Sequence, residues 1–335
     1  MRYACRFAVG PVEVQVTSNE ESVLDYLGEF YTVTSAALPG HGWTVDAQVG
    51  LPEPDANTNQ WGVSWRIDRS DRTVHLRAEA AECLSITARK CVREVLVDHC
   101  EQRRYTMLHA SAVVDESRTI VVVGDKGSGK TTVALKAALR HGMRYVSNDH
   151  LIVYGRDGAG TLTLTSLPTL IPLKIGTFLD LESALPEPWD RDGLDVEAYR
   201  ASSRSEVYPL DRRVLYTYRR LGHDNPITVD LGPRRSPVTT LIVLASYSPG
   251  DVGEPEPEPV ADPVTELLAH VRTDWMFDPT LNQRYLPRVE RGRDEYLADA
   301  RRIVTALAER STVVRWTHRG DPAPILEFAA NRRLA

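Results

Sequence analysis

Arg118-Thr119-Ile120-Val121-Val122-Val123 is a β-branched run that passes through Gly124-Asp125-Lys126-Gly127-Ser128-Gly129-Lys130-Thr131 directly into a stretch of good helix formers, Thr131 to Arg140. A strand with no polar face is covered on both sides, as the central strands of parallel sheets are. A strand, a glycine turn and a helix in that order predict an α/β unit around which the rest of the chain is arranged.

The turn fits the pattern G-x-x-x-x-G-K-[ST], and its context is the one the pattern needs. Glycines let successive backbone N–H groups point inward at phosphate oxygens, and the helix that follows adds the positive end of its dipole. Gly124, Asp125, Lys126, Gly127, Ser128, Gly129, Lys130 and Thr131 are thus the expected nucleotide cradle, with Thr132 as a further phosphate contact. Lys130 is expected at the β- and γ-phosphates and the Thr131 hydroxyl in the shell of Mg²⁺. No N-K-x-D segment is present to read guanine, so the expected cofactors are ATP and Mg²⁺.

Residues 1 to 87 alternate apolar and polar positions, as in Val12 to Val16 and Val63 to Ile67, which predicts a β-rich accessory domain with one short helix within Glu20 to Tyr31. Residues 88 to 335 form the expected catalytic domain, entered by a helix from Ala88 to Arg103. Leu151 to Tyr154 and Thr161 to Leu167 flank a glycine turn and predict a hairpin, with further strands at Val214 to Tyr218, Val238 to Ala245 and Thr312 to Trp316. Ser248 to Pro263, rich in proline and acid, predicts an exposed loop. Helices are expected over Val264 to Val271, over Asp294 to Glu309 and from Pro324.

A net charge of -6 argues against a protein that covers nucleic acid with a broad basic face. No apolar run approaches the roughly 20 residues of a membrane helix. Cys5, Cys83, Cys91 and Cys100 have neither zinc-site spacing nor disulfide density. The expectation is a soluble cytoplasmic protein that engages neither nucleic acid nor membrane.

Two segments flank the loop unit: Leu108-His109-Ala110-Ser111-Ala112-Val113-Val114 before it and Gly142-Met143-Arg144-Tyr145-Val146-Ser147-Asn148-Asp149 after it. Together with the loop they resemble the core of the HPr serine kinase/phosphorylase family, in its broad group of HPr-kinase-like proteins, over about fifty residues from Leu108 to Tyr154. The resemblance implies an α/β fold with a P-loop core and a mixed, mainly parallel sheet of the HPr kinase/PEP carboxykinase-like type, and it implies a homo-oligomer. It assigns Asp149 as base toward the acceptor hydroxyl and as a metal ligand beside Thr131, and His109 as a catalytic residue beside Lys130. Asn148 stands where the family has its first acid. Arg212, Arg213 and Arg272 are candidate clamps, and Glu182 and Glu206 candidate further metal ligands.

Apart from the resemblance, a strand that follows the loop helix and lies beside the loop strand would end near the γ-phosphate, where Asp149 could hold the metal or take a proton. The expected function is transfer of the ATP γ-phosphoryl group to a serine or threonine hydroxyl. A ribosomal precursor peptide is the preferred acceptor, and the alternatives are a small hydroxylated metabolite or a nucleotide-binding regulator.

Overall fold

A computed structural model describes residues 1–34, 42–155, 161–191, 193–222, 227–231, 239–248, 256–278, 284–286 and 291–331. In its N-terminal part the elements are β1 (Tyr3–Val9), β2 (Val12–Ser18), α1 (Glu21–Gly28), β3 (Thr32–Val33), β4 (Trp43–Val49), β5 (Asn57–Thr58), β6 (Ser64–Asp68) and β7 (Thr73–Ala78). The strands form one sheet in the order β3-β1-β2-β4-β7-β6-β5, parallel across β2, β4 and β7 and antiparallel elsewhere. The period-two pattern explains its inner face: Val12, Val14 and Val16, then Val45 and Ala47, then Val74, Leu76 and Ala78 are buried.

Helix α2 (Ala81–Gln102) lies on that face, burying Leu84, Ala88, Cys91, Val92 and Val95 at three- and four-residue spacing. It starts seven residues before the expected Ala88. Leu84-Ser85-Ile86-Thr87 has poor helix formers, but Ser85 Oγ and Thr87 Oγ1 bond back to the carbonyls of Ala81 and Cys83 at 2.8 and 2.9 Å, so the hydroxyls are satisfied within the helix.

The chain continues through β8 (Thr106–Leu108), β9 (Ala110–Val114), β10 (Arg118–Val123), α3 (Lys130–His141), β11 (Arg144–Ser147), β12 (Leu151–Gly155), β13 (Leu162–Ser166), β14 (Ile171–Lys174) and α4 (Ile175–Leu181). Two short helices follow, α5 (Glu197–Arg200) and α6 (Arg204–Val207), and then β15 (Arg213–Tyr216), β16 (Val229–Leu231) and β17 (Thr239–Tyr247). The last elements are β18 (Glu258–Pro259), α7 (Pro263–Leu268), α8 (Thr273–Phe277), α9 (Arg293–Glu309), β19 (Thr312–His318) and α10 (Ala323–Asn331). The hairpin turn at 156–160 and positions 249–255 of the expected loop lie outside the described residues. Glu258–Pro259, also within that expected loop, pairs with the edge of β19, where a proline costs no ladder bond. Pro263, the last loop residue, instead opens α7, capped by the Asp262 side chain.

The main sheet runs β11-β9-β10-β17-β19-β18 and a second, wholly antiparallel sheet runs β16-β13-β12-β8. β10 divides two cores: Val121 and Val123 belong to the one shared with α2 and the N-terminal sheet, and Ile120 and Val122 to the one under α3 and α10. That is the two-sided burial its sequence requires. Among the described residues the main sheet pairs β10 with β17 and β17 with β19 in parallel and its other three pairs antiparallel, so it is mixed but not mainly parallel as expected. β9 and β10 are joined by a tight turn, in which Asp115 Oδ1 accepts from the backbone N–H groups of Ser117 and Arg118, and a turn that short forces antiparallel pairing. β9 therefore lies between β10 and β11, so the strand after the loop helix does not lie beside the loop strand as expected.

No helix among the described residues is long and apolar enough to cross a membrane. Leu96, fully buried where α2 meets the shared core, should be costly to truncate: Leu96→Ala is expected to lower the unfolding free energy by about 2–5 kcal/mol. Leu51→Ala, at an exposed position, should change it by less than about 0.5 kcal/mol, and urea unfolding of both variants measures the difference.

Candidate functional site

The chain passes between the main and second sheets twice, close together. One residue, His109, separates β8 from β9, and Asn148-Asp149-His150 separate β11 from β12. The register sets the crossings side by side, because Leu151 pairs with Leu108 in one sheet and Ser147 with Ala112 in the other. A third segment joins them: Leu108 bridges Val271, and the His109 N–H donates to the His270 carbonyl at 2.8 Å.

These crossings assemble a charged cluster. His109 Nε2 lies 2.7 Å from Asp149 Oδ1, and an Arg272 guanidinium nitrogen lies 2.8 Å from Asp149 Oδ2. Burial would raise the Asp149 carboxyl, but the hydrogen bond from His109 and the charge of Arg272 outweigh it and hold the group well below the usual carboxylate range. His150 Nδ1 lies 3.5 Å from the same carboxylate, and burial pushes this imidazole down to about 3. Of the three candidate arginines, Arg272 is the one brought to Asp149. Arg213 lines the same cavity while paired with Asp211, and Arg212 is exposed away from it. Glu182 pairs with Arg200 and Glu206 with Ser203, both outside the cavity.

Beside the cluster stands the glycine loop. Lys130 Nζ donates to the carbonyls of Gly124 and Asp125 at 2.7 and 2.9 Å, and burial pushes its ammonium down to about 8. Thr131 Oγ1 donates to Asn148 Oδ1 at 2.9 Å, and the Tyr145 hydroxyl donates to the same oxygen at 2.8 Å. Asn148 itself is held by the Tyr218 hydroxyl on its N–H and by Ser111 Oγ on its carbonyl. The neutral amide thus does what an acid would do here, accepting the threonine proton, without a charge at a position that is only 4% exposed. Thr132 Oγ1 shares a hydrogen bond with Thr177 Oγ1 on α4 at 2.7 Å.

The loop is shaped from outside by residues the sequence did not single out. Gly320 N–H donates to His318 Nδ1, which places the ring proton on Nε2, and Nε2 donates to the Ser128 carbonyl at 2.8 Å. The ring stacks on Trp316 with centroids 4.7 Å apart, and burial, helped by the charge of Lys136, lowers it to about 4. A Cβ on Gly129 would sit 2.5 Å from His318 Cε1, and one on Gly124 would sit 2.6 Å from the Ala245 carbonyl oxygen. Lys136 on α3 is itself tied to Asp180 at 2.9 Å, and Asp180 also accepts from the Tyr208 hydroxyl.

Loop and cluster open on one cavity of about 720 Å³. Lys126, Gly127, Gly129, Lys130, Thr131 and Thr132 line it, as do His109, Asn148, Asp149 and Arg272; Gly124, Asp125 and Ser128 do not line it, and Asp125 is exposed to solvent. Tyr208 and Tyr247, stacked with centroids 5.8 Å apart, form part of another wall. No group of three or more His, Cys, Asp or Glu that could hold a metal occurs among the described residues. Asn148 Oδ1 is the oxygen that faces Thr131, and the carboxylate of the next residue, Asp149, lines the same cavity. Such a small, hard donor set suits Mg²⁺, which uses one or two protein oxygens together with substrate phosphates.

No protein-family model matches this chain, and no curated protein matches it.

Gly127 and Gly129 both have positive φ, +92° and +83°, but only Gly129 is crowded by a side chain. Gly127→Ala should cost about 1–2 kcal/mol, the penalty for a left-handed residue, and Gly129→Ala clearly more, as thermal melts would show. Because His318 is neutral in the fold and free to protonate when unfolded, acid favours the unfolded chain. Wild-type stability should fall by up to about 3 kcal/mol from this group as pH drops from about 6.5 to 4, and His318→Gln should remove that part of the slope.

Proposed function

We propose that the protein is a kinase that transfers the γ-phosphoryl group of ATP to a serine or threonine hydroxyl, with a core like that of the HPr-kinase-like proteins it resembles. One observation carries the reading. A single cavity has the loop residues Lys130 and Thr131 on one wall and, beside them, a carboxylate braced by His109 and Arg272.

Lys130 would exchange the loop carbonyls it now binds for the β- and γ-phosphates. Thr131 donates a hydrogen bond to Asn148 Oδ1, so its own oxygen lone pairs would remain for Mg²⁺; Asn148 Oδ1, which also accepts from Tyr145, would orient the threonine, and Asp149 would be the second protein oxygen donor. Bound there, Mg²⁺ would neutralise charge on the β- and γ-oxygens. Arg272 would offer its remaining N–H groups to the equatorial oxygens of the transferring group.

Asp149 is a weak base in this setting, and phosphoryl transfer asks little of one. In a loose transition state the acceptor oxygen keeps its proton until late, so the carboxylate's main task is to orient the hydroxyl in line. The contact of His109 with Asp149 would fix the carboxylate, as an orienting partner does in other acid–base pairs. The stacked pair Tyr208 and Tyr247 gives the base an aromatic face beside the loop. A precursor peptide remains the preferred acceptor.

Mass spectrometry of serine peptides and small hydroxy compounds incubated with the protein, ATP and Mg²⁺ tests this reading. A product one phosphate heavier is expected, with Asp149→Asn about 100-fold slower or worse at little change in ATP affinity, and Lys130→Ala losing both. ATP binding with no phosphorylated product would favour a nucleotide-binding regulator, and absence of ATP binding would sink the proposal.

A further inference from the structure

The nucleotide reading leaves part of the cavity unexplained. Seven Lys and Arg side chains line it against two carboxylates, in a chain whose net charge is -6. Five of them, Lys126, Lys130, Lys174, Arg213 and Arg272, come from the elements that follow α2 in the chain. Arg89 and Arg93 come from elsewhere. They stand one turn apart on one face of α2, the helix packed on the N-terminal sheet, and both reach the cavity.

Their position points to the acceptor. Arg93 is near enough to His150, the residue after Asp149, for its charge to help keep that imidazole neutral. The Arg89 guanidinium lies over the Phe30 ring at 4.5 Å, and its backbone carbonyl accepts the Tyr31 hydroxyl at 2.9 Å, so the side chain has a fixed platform and the helix a fixed seat. Guanidinium groups match the planar fork of a carboxylate or phosphate in a way that lysines do not.

We infer that Arg89 and Arg93 bind an anionic group carried by the acceptor close to its reacting hydroxyl, so that the substrate class is hydroxy compounds with a neighbouring carboxylate or phosphate. The inference rests on the kinase reading. It gives the N-terminal region a direct part in acceptor choice, because α2 is the element that region seats. A carboxylate can come from an acidic side chain next to a serine in a peptide or from a small hydroxy acid, and the two sources share the same recognition.

The test uses the full-length protein saturated with a non-hydrolysable ATP analogue and Mg²⁺, so that no turnover is needed. Isothermal titration calorimetry compares two matched pairs: a hexapeptide with one serine beside an aspartate against its asparagine twin, and glycerate against glyceramide. In at least one pair the charged member should bind about tenfold or more tighter, the scale of one charge-assisted hydrogen bond, and that pair names the source. The gap should close in Arg93→Gln and in Arg89→Gln/Arg93→Gln, with affinity for the analogue unchanged. Equal binding within both pairs, or no binding by any of the four, overturns the inference while leaving the kinase reading in place. A gap that survives in correctly folded double variants overturns it too. Failure of the analogue itself to bind sinks the kinase reading instead.

Discussion

A glycine-rich loop has few side chains with which to hold its own shape, so its shape must be imposed by its surroundings. Here that is done by contact. The Ala245 carbonyl fits against Gly124 with no room for a Cβ, the His318 ring closes on Gly129 and grips the Ser128 carbonyl, and Lys130 ties the first two residues of the loop together. Ala245 and His318 lie on β17 and β19, the strands parallel to the loop strand, so the sheet order and the loop conformation are one constraint. Glycine at 124 and 129 is then a demand of neighbouring strands as much as of the loop.

The same logic builds the cluster around Asp149. A carboxylate that is two-thirds covered needs cations, and no single element supplies them. His109 comes from the first passage between sheets, Asp149 from the second, and Arg272 from the segment between α7 and α8 that bridges Leu108. Each passage is short, which leaves little freedom for the side chains it carries. The antiparallel strand β9 is what makes this arrangement: it ends the first passage at the main sheet and pairs with the strand that begins the second.

What was legible in the sequence follows from range. The loop, its helix, the β10 run and the alternating strands are local patterns, and Ala88 to Gln102 shows its apolar stripe plainly. The start of α2 was hidden because Ser85 and Thr87 look unfavourable until their hydroxyls are seen bonding within the helix. Neighbours in a sheet are not written locally, so β9 was not expected between β10 and β11. Arg272 could not be separated from Arg212 and Arg213, since its partner is 123 positions away. Arg89 and Arg93 carry no local mark that separates them from other helix charges, and His318 lies two residues beyond the expected strand Thr312 to Trp316; only folding gives them a loop or a cavity to face.

The grip of His318 on the loop also has a temporal side. Ser128 and His318 are 190 residues apart, and at ordinary rates of synthesis that length takes about 10–40 s to make. Throughout that interval the loop, its strand and its helix exist without β19 and without the ring that fixes the loop's curvature. A nascent chain would thus pass through a stage in which the local sequence signature is complete and the curvature of the loop is not yet fixed.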